Sequence, residues 1–191
     1  MKARKYIHLI LLTMALTTIV GCTKLWVLGK YVGEVWINGE RYSYTYELHP
    51  FQTNVIHANY TYIDNRYVIR MEWAPFRNNH DTDELYSIHF SVFSATPFKK
   101  GEVFEVCSDD IRDESDNSIG TFKVTGENGQ SVFSECRAQI TIGDIIFKDK
   151  TMSFSFNFTG IRQDDNGDII TYEGTNGSIS TFANIDSSIS N

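Results

Sequence analysis

The residues of this chain best suited to acid–base or metal chemistry are its histidines. Histidine titrates near neutral pH and, in its neutral form, is a common metal ligand. Beyond the N-terminal segment no two histidines have the spacing of a known metal motif, and the positions are His49, His57, His80 and His89. His57 and His89 fall at outward positions of alternating segments, as solvated sheet histidines do. The pattern predicts no metal site, no cofactor and no histidine-based active site.

Two polar segments have compositions that suit cation binding. His80–Glu84 gathers nitrogen and oxygen donors in one loop, and Asp164–Asp168 is similar in composition to a calcium loop. The second segment lacks the twelve-residue ligand register and the closing glutamate of that loop. Solvation explains the first segment and hairpin-turn chemistry the second, so neither is predicted to bind a metal.

Paired carboxylates occur in an acidic loop at Asp109-Asp110 and Asp113-Glu114. A glycosidase needs two carboxylates that face each other across a cleft, and spacing along the chain does not establish this. The sequence has neither a Gly-x-Ser-x-Gly elbow nor a glycine-rich loop before a helix. It therefore supplies no catalytic residue.

Two of the three cysteines could form a disulfide or remain as separate thiols. Cys107 and Cys136 would lie in an oxidising compartment after export, where a disulfide between them would close a long loop. The alternative is that both are small buried apolar side chains, because Cys136 alternates in line with Ala138 and Ile140. Spacing alone does not decide, since a disulfide needs a specific Cβ–Cβ geometry.

The first 21 residues have the three-part layout of a cleaved secretory signal. Lys2, Arg4 and Lys5 form a basic start, Leu9–Val20 is uncharged, and a small residue precedes Cys22. The uncharged run is short for a helix that spans a bilayer. The Ile-Val-Gly-Cys ending resembles the lipobox of bacterial lipoproteins. This resemblance implies that the Cys22 thiol receives a diacylglyceryl group and becomes the mature N-terminus.

The residues after Cys22 bear on localisation. The aspartate that usually marks inner-membrane retention of lipoproteins is replaced by Thr23, and the acidic cluster that often marks surface display is missing. We expect a lipid-anchored protein of the cell envelope, at the outer membrane and facing the periplasm, with surface display as the alternative. Residues 22–30 form a short tether, whose apolar Leu25–Leu28 either adds an edge strand or enters the membrane interface.

Charge and length narrow the choice of partners. Removing residues 1–21 takes away three basic residues and no acidic one, so the net charge changes from −7 to −10. This argues against nucleic acid as a partner and against polybasic adhesion to anionic lipid, so we expect the acyl chains to supply the membrane attachment. The remaining 170 residues suit a single domain, which we place at 31–191.

Nearly every segment of this domain alternates with the period of two that is typical of a β-strand. In Met152–Thr159 four large apolar side chains alternate with Ser, Asn and Thr. Asn38-Gly39 and Asp64-Asn65 separate such segments and suit tight hairpin turns. The pattern predicts an all-β fold, an antiparallel two-sheet β-sandwich, with a lipocalin-like closed β-barrel as the alternative.

Aromatic residues are the remaining unusual feature. Most phenylalanines occupy inward positions, so packing explains them, but tyrosine and tryptophan crowd the N-terminal half. Such rings pack against apolar surface and still present a polar edge, which makes them frequent at binding sites. The candidates for a binding face are Trp36, Trp73, Tyr42 and Tyr44. The alternative is an aromatic core with satisfied hydroxyls.

The chain also shows a recurring arrangement of strands and turns. An early strand runs into Asn38-Gly39, and the chain closes with Ser153-Phe-Ser-Phe156, then Asp165-Asn-Gly167, then Gly177-Ser-Ile-Ser-Thr-Phe182. With the lipobox, this arrangement resembles the small secreted lipoproteins of unknown function that abound in gut-type Gram-negative bacteria. The resemblance implies an all-β fold and supplies no active site.

These observations favour a non-catalytic binding or accessory module of the cell envelope, attached to the membrane by its N-terminal lipid, with a glycan or a protein as partner. It requires an exposed patch of tryptophan and tyrosine. One alternative is a carrier of a small apolar ligand, which needs a large internal cavity. The other is a glycan-acting hydrolase, which needs a cleft with two carboxylates or a histidine–carboxylate pair.

Overall fold

The computed structural model describes residues 30–47, 56–73, 87–108, 120–126 and 129–189. For residues 30–32 and 44–47 it describes the backbone and not the side chains. Several sequence predictions concern residues outside these ranges: the signal peptide, Cys22, the tether up to residue 29, His49, His80–Glu84, the acidic loop from residue 109, and the side chain of Tyr44.

The described residues form ten strands and no helix, which confirms the predicted all-β class. The strands are β1 (Lys30–Ile37), β2 (Glu40–Glu47), β3 (Ile56–Ile63), β4 (Arg66–Trp73), β5 (Ser87–Ser94), β6 (Val103–Cys107), β7 (Gly120–Thr125), β8 (Glu135–Ile146), β9 (Thr151–Gln163) and β10 (Ile169–Ile185). No helix able to cross a membrane occurs in these ranges.

The strand pairings form a circuit. Hydrogen-bonded neighbours follow the order β2-β1-β10-β3-β4-β5-β7-β6-β8-β9, and β9 pairs with β10 as well. Two pairings in this circuit are short, and we call them the seams. In one, β10 and β3 share three parallel residue pairs, and in the other β6 and β7 share one. These two seams divide the one ten-stranded sheet into two parts, which we call the β3–β4–β5–β7 sheet and the β6–β8–β9–β10–β1–β2 sheet. The architecture fits both a sandwich and a barrel-like description.

Two details differ from the expected strand pattern. The apolar–polar alternation of the sequence predicts separate strands over 132–142 and 144–148. Both segments largely belong to the single strand β8, whose pairing with β9 shifts register between Ile142 and Ile145. Gly143 lies at this irregularity, and a Cβ there would be 2.8 Å from the Ser153 carbonyl oxygen. The two seams are also parallel, whereas the sequence predicted antiparallel pairing throughout.

The two predicted hairpin turns have the backbone that their residues favour. Asn38 and Gly39 have φ values of 49° and 84°, and Asp64 and Asn65 have 52° and 61°. Positive φ at both central positions is the geometry of a type I′ turn, whose twist matches that of the flanking strands. Each turn fixes the register of its hairpin, so that residues equidistant from the turn lie opposite each other.

The core lies between the two sheets, where phenylalanines from both faces meet. Phe90 of β5 packs edge-on against Phe154 of β9, with ring centroids 5.1 Å apart. Phe122 of β7 contacts Phe156 and Phe158 of β9 at 6.1 and 5.3 Å. All five rings are buried. Aromatic side chains from both sides thus meet in the space between these strands.

Trp73 belongs to this core, so its prediction as part of a binding face is wrong. It is 2% exposed, and it shares the inward side of β4 with Ile69 and Met71. Its indole packs over Gly33 of β1, where an added Cβ would lie 2.8 Å from Trp73 Cε2. The indole N–H has no hydrogen-bond partner in the described part of the chain. The alternation that placed Trp73 on one side with Ile69 and Met71 already indicated burial.

Replacing Gly33 by alanine is expected to lower the free energy of unfolding by roughly 1–3 kcal/mol, the usual effect of overpacking a filled core. The new methyl group has to displace the Trp73 indole. Urea denaturation followed by tryptophan fluorescence measures the change. Ser43→Ala, at an exposed position of β2, is the control and should stay within about 0.5 kcal/mol of the wild type. Equal stability of Gly33→Ala and wild type would contradict this packing.

Candidate functional site

A groove of about 760 Å³ lies on the outer face of the β3–β4–β5–β7 sheet. We call it the polar groove and define it by the side chains that these strands contribute: His57, Asn59, Arg70, Glu72, Ser87, His89, Ser91, Thr121, Lys123 and Thr125. Its volume lies within the roughly 300–1,000 Å³ typical of small-molecule sites. The side chains that define it are polar, and Met71, Phe90 and Phe122 also line it. The groove therefore suits a polar ligand.

Strand alternation places these side chains outside. In each of the four strands, residues two apart share one face, and the intervening residues are buried in the core. Met71 separates Arg70 from Glu72, and Phe122 separates Thr121 from Lys123. Burial of the apolar set thus fixes the outward direction of the polar set.

The register brings the polar side chains into rows that cross the sheet. One row consists of directly paired residues from all four strands, namely His57, Glu72, His89 and Lys123. The neighbouring row consists of Asn59, Arg70, Ser91 and Thr121. Side chains directly opposite on adjacent strands lie close enough to contact a single ligand.

One side of the groove is bounded by the chain that follows β7. Gly126 and Gly129 line the groove with Ser131, and Gly129 adopts a φ of 74°. Gly126 N–H donates to the Gln130 carbonyl at 3.0 Å, and Val132 N–H donates to the Val124 carbonyl at 2.9 Å. These bonds fold the segment back along the end of β7, so that it forms a wall beside the sheet.

His89 is the least exposed ionisable side chain of the charged row. Its Nε2 lies 3.2 Å from the hydroxyl of Thr125, which is itself buried. Burial lowers the pKa of His89 below its ordinary value; the Glu72 carboxylate opposes this shift, and the Lys123 ammonium adds to it. At neutral pH the imidazole is therefore neutral and able to donate or accept a hydrogen bond.

The groove holds more positive than negative side chains. Arg70 and Lys123 are cationic, and Glu72 is the one carboxylate among the residues that define the groove. Neither cation has an ion-pair partner among the described residues, in contrast to Arg41 with Glu34 and Lys100 with Asp144, each at 2.7 Å. The chain as a whole carries a net charge of −7, so this surface differs in sign from the molecule.

The structure does not bring the proposed aromatic face together. Trp36 pairs with Arg41 and Val35 pairs with Tyr42, so Trp36 and Tyr42 point to opposite sides of the β1–β2 hairpin. Tyr42 is half-buried against the core, and its hydroxyl lies 3.3 Å from Glu40 Oε2. Trp36 lies on the outer side, half-buried, and its indole N–H donates to Glu34 Oε1 at 3.3 Å. A shared face of Trp36, Trp73 and Tyr42 is therefore excluded.

The tyrosine alternative, a core ring with a satisfied hydroxyl, holds for Tyr60. Its side chain is 1% exposed, and its hydroxyl accepts a hydrogen bond from the Phe98 backbone N–H at 3.2 Å. Burial raises the pKa of Tyr60 above its ordinary value. Tyr60 is therefore a core residue with a satisfied hydroxyl.

Cys107 and Cys136 do not form a disulfide; both are buried thiols. Cys107 pairs with Arg137, so Cys107 and Cys136 point to opposite faces of the β6–β8 ladder and their sulfur atoms cannot approach. Burial raises the pKa of the Cys136 thiol to about 12, which makes it a poor nucleophile at neutral pH.

The aspartates at 164–168 form a hairpin turn, as the sequence predicted. Asp164 Oδ1 accepts backbone hydrogen bonds from Asn166 at 2.9 Å and Asp168 at 2.8 Å. Gly167 adopts a φ of 88°. In the described part of the chain, no three His, Cys, Asp or Glu side chains are grouped closely enough to hold a metal ion.

Sequence reasoning missed Arg70, Glu72 and Lys123 as candidate site residues, because each looks like an ordinary outward position of a strand. It noted His57 and His89 but assigned them only to solvent. One usable signal was the Asp64-Asn65 turn, which sets His57 opposite Glu72 and thus predicts a histidine–carboxylate pair.

Stability should respond to acid through His89. Because its pKa is lower in the folded than in the unfolded chain, the unfolded chain takes up the proton first as pH falls below about 6.5. The free energy of unfolding is therefore expected to fall between about pH 7 and pH 5, and His89→Gln should make that fall shallower. Urea denaturation at both pH values measures this. An identical fall in both proteins would show that His89 does not contribute.

No family model, curated protein or solved structure matches this chain. Function is therefore inferred from the geometry and charge of the polar groove.

Proposed function

We propose that this protein is a non-catalytic, lipid-anchored binding module of the cell envelope, and that it binds a glycan in the polar groove. The observation that carries the proposal is the composition of the groove. Two paired rows combine hydroxyl, amide, imidazole, carboxylate and cationic groups on adjacent strands.

Such a surface complements the chemistry of a sugar. Each sugar hydroxyl both donates and accepts hydrogen bonds, so a saccharide needs donors and acceptors side by side. Ser91 and Thr121 offer hydroxyls that do both, Asn59 offers an amide, and Arg70 adds guanidinium donors. An apolar ligand would leave these groups unsatisfied, which opposes its binding.

The sheet also holds these groups in place before a ligand arrives. The groove residues lie on four strands whose other faces are packed into the aromatic core, so their backbone positions do not need to be ordered on binding. Pre-organisation of this kind reduces the entropy lost on association. Weak individual hydrogen bonds can then sum to a useful affinity.

Membrane attachment belongs to the same proposal. The lipobox-like ending at Cys22 supports acylation, and the acidic composition offers no polybasic patch as a second means of attachment. The predicted tether is short, so the groove would stay near the bilayer. We place the protein at the outer membrane, facing the periplasm.

The glycan proposal predicts that a bulky side chain in the groove abolishes binding. Full-length protein in detergent is screened on a glycan array, and affinity for the best glycan is then measured by calorimetry. Ser91→Trp should weaken that affinity at least about tenfold, because the indole occupies the middle of the row beside Arg70. Ser155→Trp, at an exposed position of β9, is the matched control. Binding of no glycan, or equal binding by both variants, would contradict the proposal.

A glycan-acting hydrolase is the second candidate, favoured by the pairing of Glu72 with His57 and His89. This provides the histidine–carboxylate pair that such an enzyme needs. Incubation of the bound glycan with wild type and Glu72→Gln distinguishes the two functions. Shorter products that appear only with wild type would show hydrolysis, and an intact glycan with both proteins supports the binding module.

Acylation of Cys22 has its own test. Mass spectrometry of the N-terminal peptide from native membranes should find a diacylglyceryl group on Cys22 and no residues before it. Cys22→Ser should remove the modification and release the protein from the membrane fraction, because acyl chains supply the attachment. An unacylated Cys22 in native membranes would overturn the anchor without bearing on the groove.

A further inference from the structure

We propose that the ligand of the polar groove is an acidic saccharide, and that Arg70 and Lys123 bind its anionic groups. The inference rests on the proposed glycan-binding function and adds the charge of the ligand to it. Three observations support it: the lack of a carboxylate partner for Arg70 among the described residues, the position of Lys123, and the sign of the groove's charge.

Arg70 is placed to bind an anion from outside the protein. Its direct cross-strand neighbours are Asn59 and Ser91, which are uncharged. Within the described residues no carboxylate forms an ion pair with it. A guanidinium with open donors matches a carboxylate or sulfate oxygen pair in two parallel hydrogen bonds. The adjacent amide and hydroxyl can bind the sugar hydroxyls that flank such a group.

Lys123 provides a second positive charge in the groove, on a different strand from Arg70. It lies on β7, two strands from Arg70 on β4, and in the neighbouring row. With strands about 4.8 Å apart, the two backbone positions are separated by about 10 Å across the sheet and about 7 Å along it. That separation suits acidic groups on different rings of one oligosaccharide, and a single small anion would not contact both.

The net charge of the groove indicates the sign of the ligand's charge. Glu72 offsets one of the two cations, which leaves an excess of positive charge on a protein of net charge −7. A concave site with a net charge of one sign attracts ligands of the opposite sign. A neutral sugar would need no such excess, and an acidic one would be repelled by most of the remaining surface.

Acidic pH should strengthen this binding. The groups that face His89 are Glu72 on β4, Lys123 and Thr125 on β7, with His57 and Arg70 farther along β3 and β4. An anion in the groove would favour the charged imidazole, so ligand binding and proton uptake by His89 are linked. Affinity for an acidic saccharide should therefore rise as pH falls from about 7 to about 5.

The test compares three probes with the full-length protein in detergent by calorimetry at low salt: an oligogalacturonate, a sulfated oligogalactoside and a neutral oligogalactoside of the same length. Arg70→Gln and Lys123→Gln remove one charge each. Lys148→Gln, at an exposed position in the β8–β9 turn, is the matched control. Circular dichroism at each step confirms that the variants remain folded.

Arg70→Gln should weaken binding of an acidic probe about tenfold to hundredfold, the range for loss of a charge-assisted hydrogen bond. Lys123→Gln should weaken it several-fold, and Lys148→Gln should leave it unchanged. Preference for the uronate over the sulfated probe identifies the anionic group as a carboxylate, and the reverse identifies a sulfate. Affinity for both acidic probes should fall as salt is added.

Equal affinity for the neutral and acidic probes, unchanged by Arg70→Gln, would overturn the acidic ligand and leave glycan binding standing. Binding of none of these probes, with a neutral glycan found on the array, would do the same. Failure of every glycan on the array would overturn the proposed function itself. Weakening by Lys148→Gln equal to that by Arg70→Gln would show general charge attraction and not a site.

Discussion

The constraint on which the rest of the structure depends is the register of the β3–β4–β5–β7 sheet. The core requires Met71, Phe90 and Phe122 to point inward, where Phe90 meets Phe154 and Phe122 meets Phe156 and Phe158 of the facing sheet. A slip of one residue in any strand would turn these rings to water and the polar side chains to the core. The energy of apolar burial therefore fixes which side chains form the groove. No bond between the polar residues themselves is needed to align them.

The same register also determines which charged side chains lie next to each other in the groove. Row pairing places the His89 imidazole between Glu72 and Lys123, and partial burial keeps the imidazole neutral at pH 7. Arg70 lies one row away with uncharged direct cross-strand neighbours, and no carboxylate forms an ion pair with it within the described part of the molecule. Because the groove is open to solvent, these charges keep much of their hydration and are tolerated without partners. A ligand that supplies an anion gains interactions that the folded chain leaves available.

The sequence predicted the all-β class, most strand positions and the two tight turns, because alternation and Asn-Gly chemistry are local. The sequence also contains information on where the aromatic side chains point. The Asn38-Gly39 turn implies that Trp36 and Tyr42 face opposite sides, and the alternation around Trp73 implies burial, so the aromatic face was excluded by local rules. What the sequence does not contain is the pairing of β5 with β7 or of β10 with β3. Those contacts join strands across long stretches of chain, and it is the β5–β7 pairing that brings Lys123 onto the same surface as Arg70.

The predicted lipid anchor bears on how tightly a single groove must bind its ligand. A site built from open hydrogen bonds and partly hydrated charges binds a single saccharide weakly, since each bond replaces one to water. Acyl chains at Cys22 would hold many copies on one bilayer, close to a polymer that carries repeated acidic rings. Engagement of a second groove then becomes effectively intramolecular, and avidity exceeds the affinity of one site by orders of magnitude. On the proposed function, a solvated, pre-organised groove on a short tether would thus retain a polymer and still release a single short fragment.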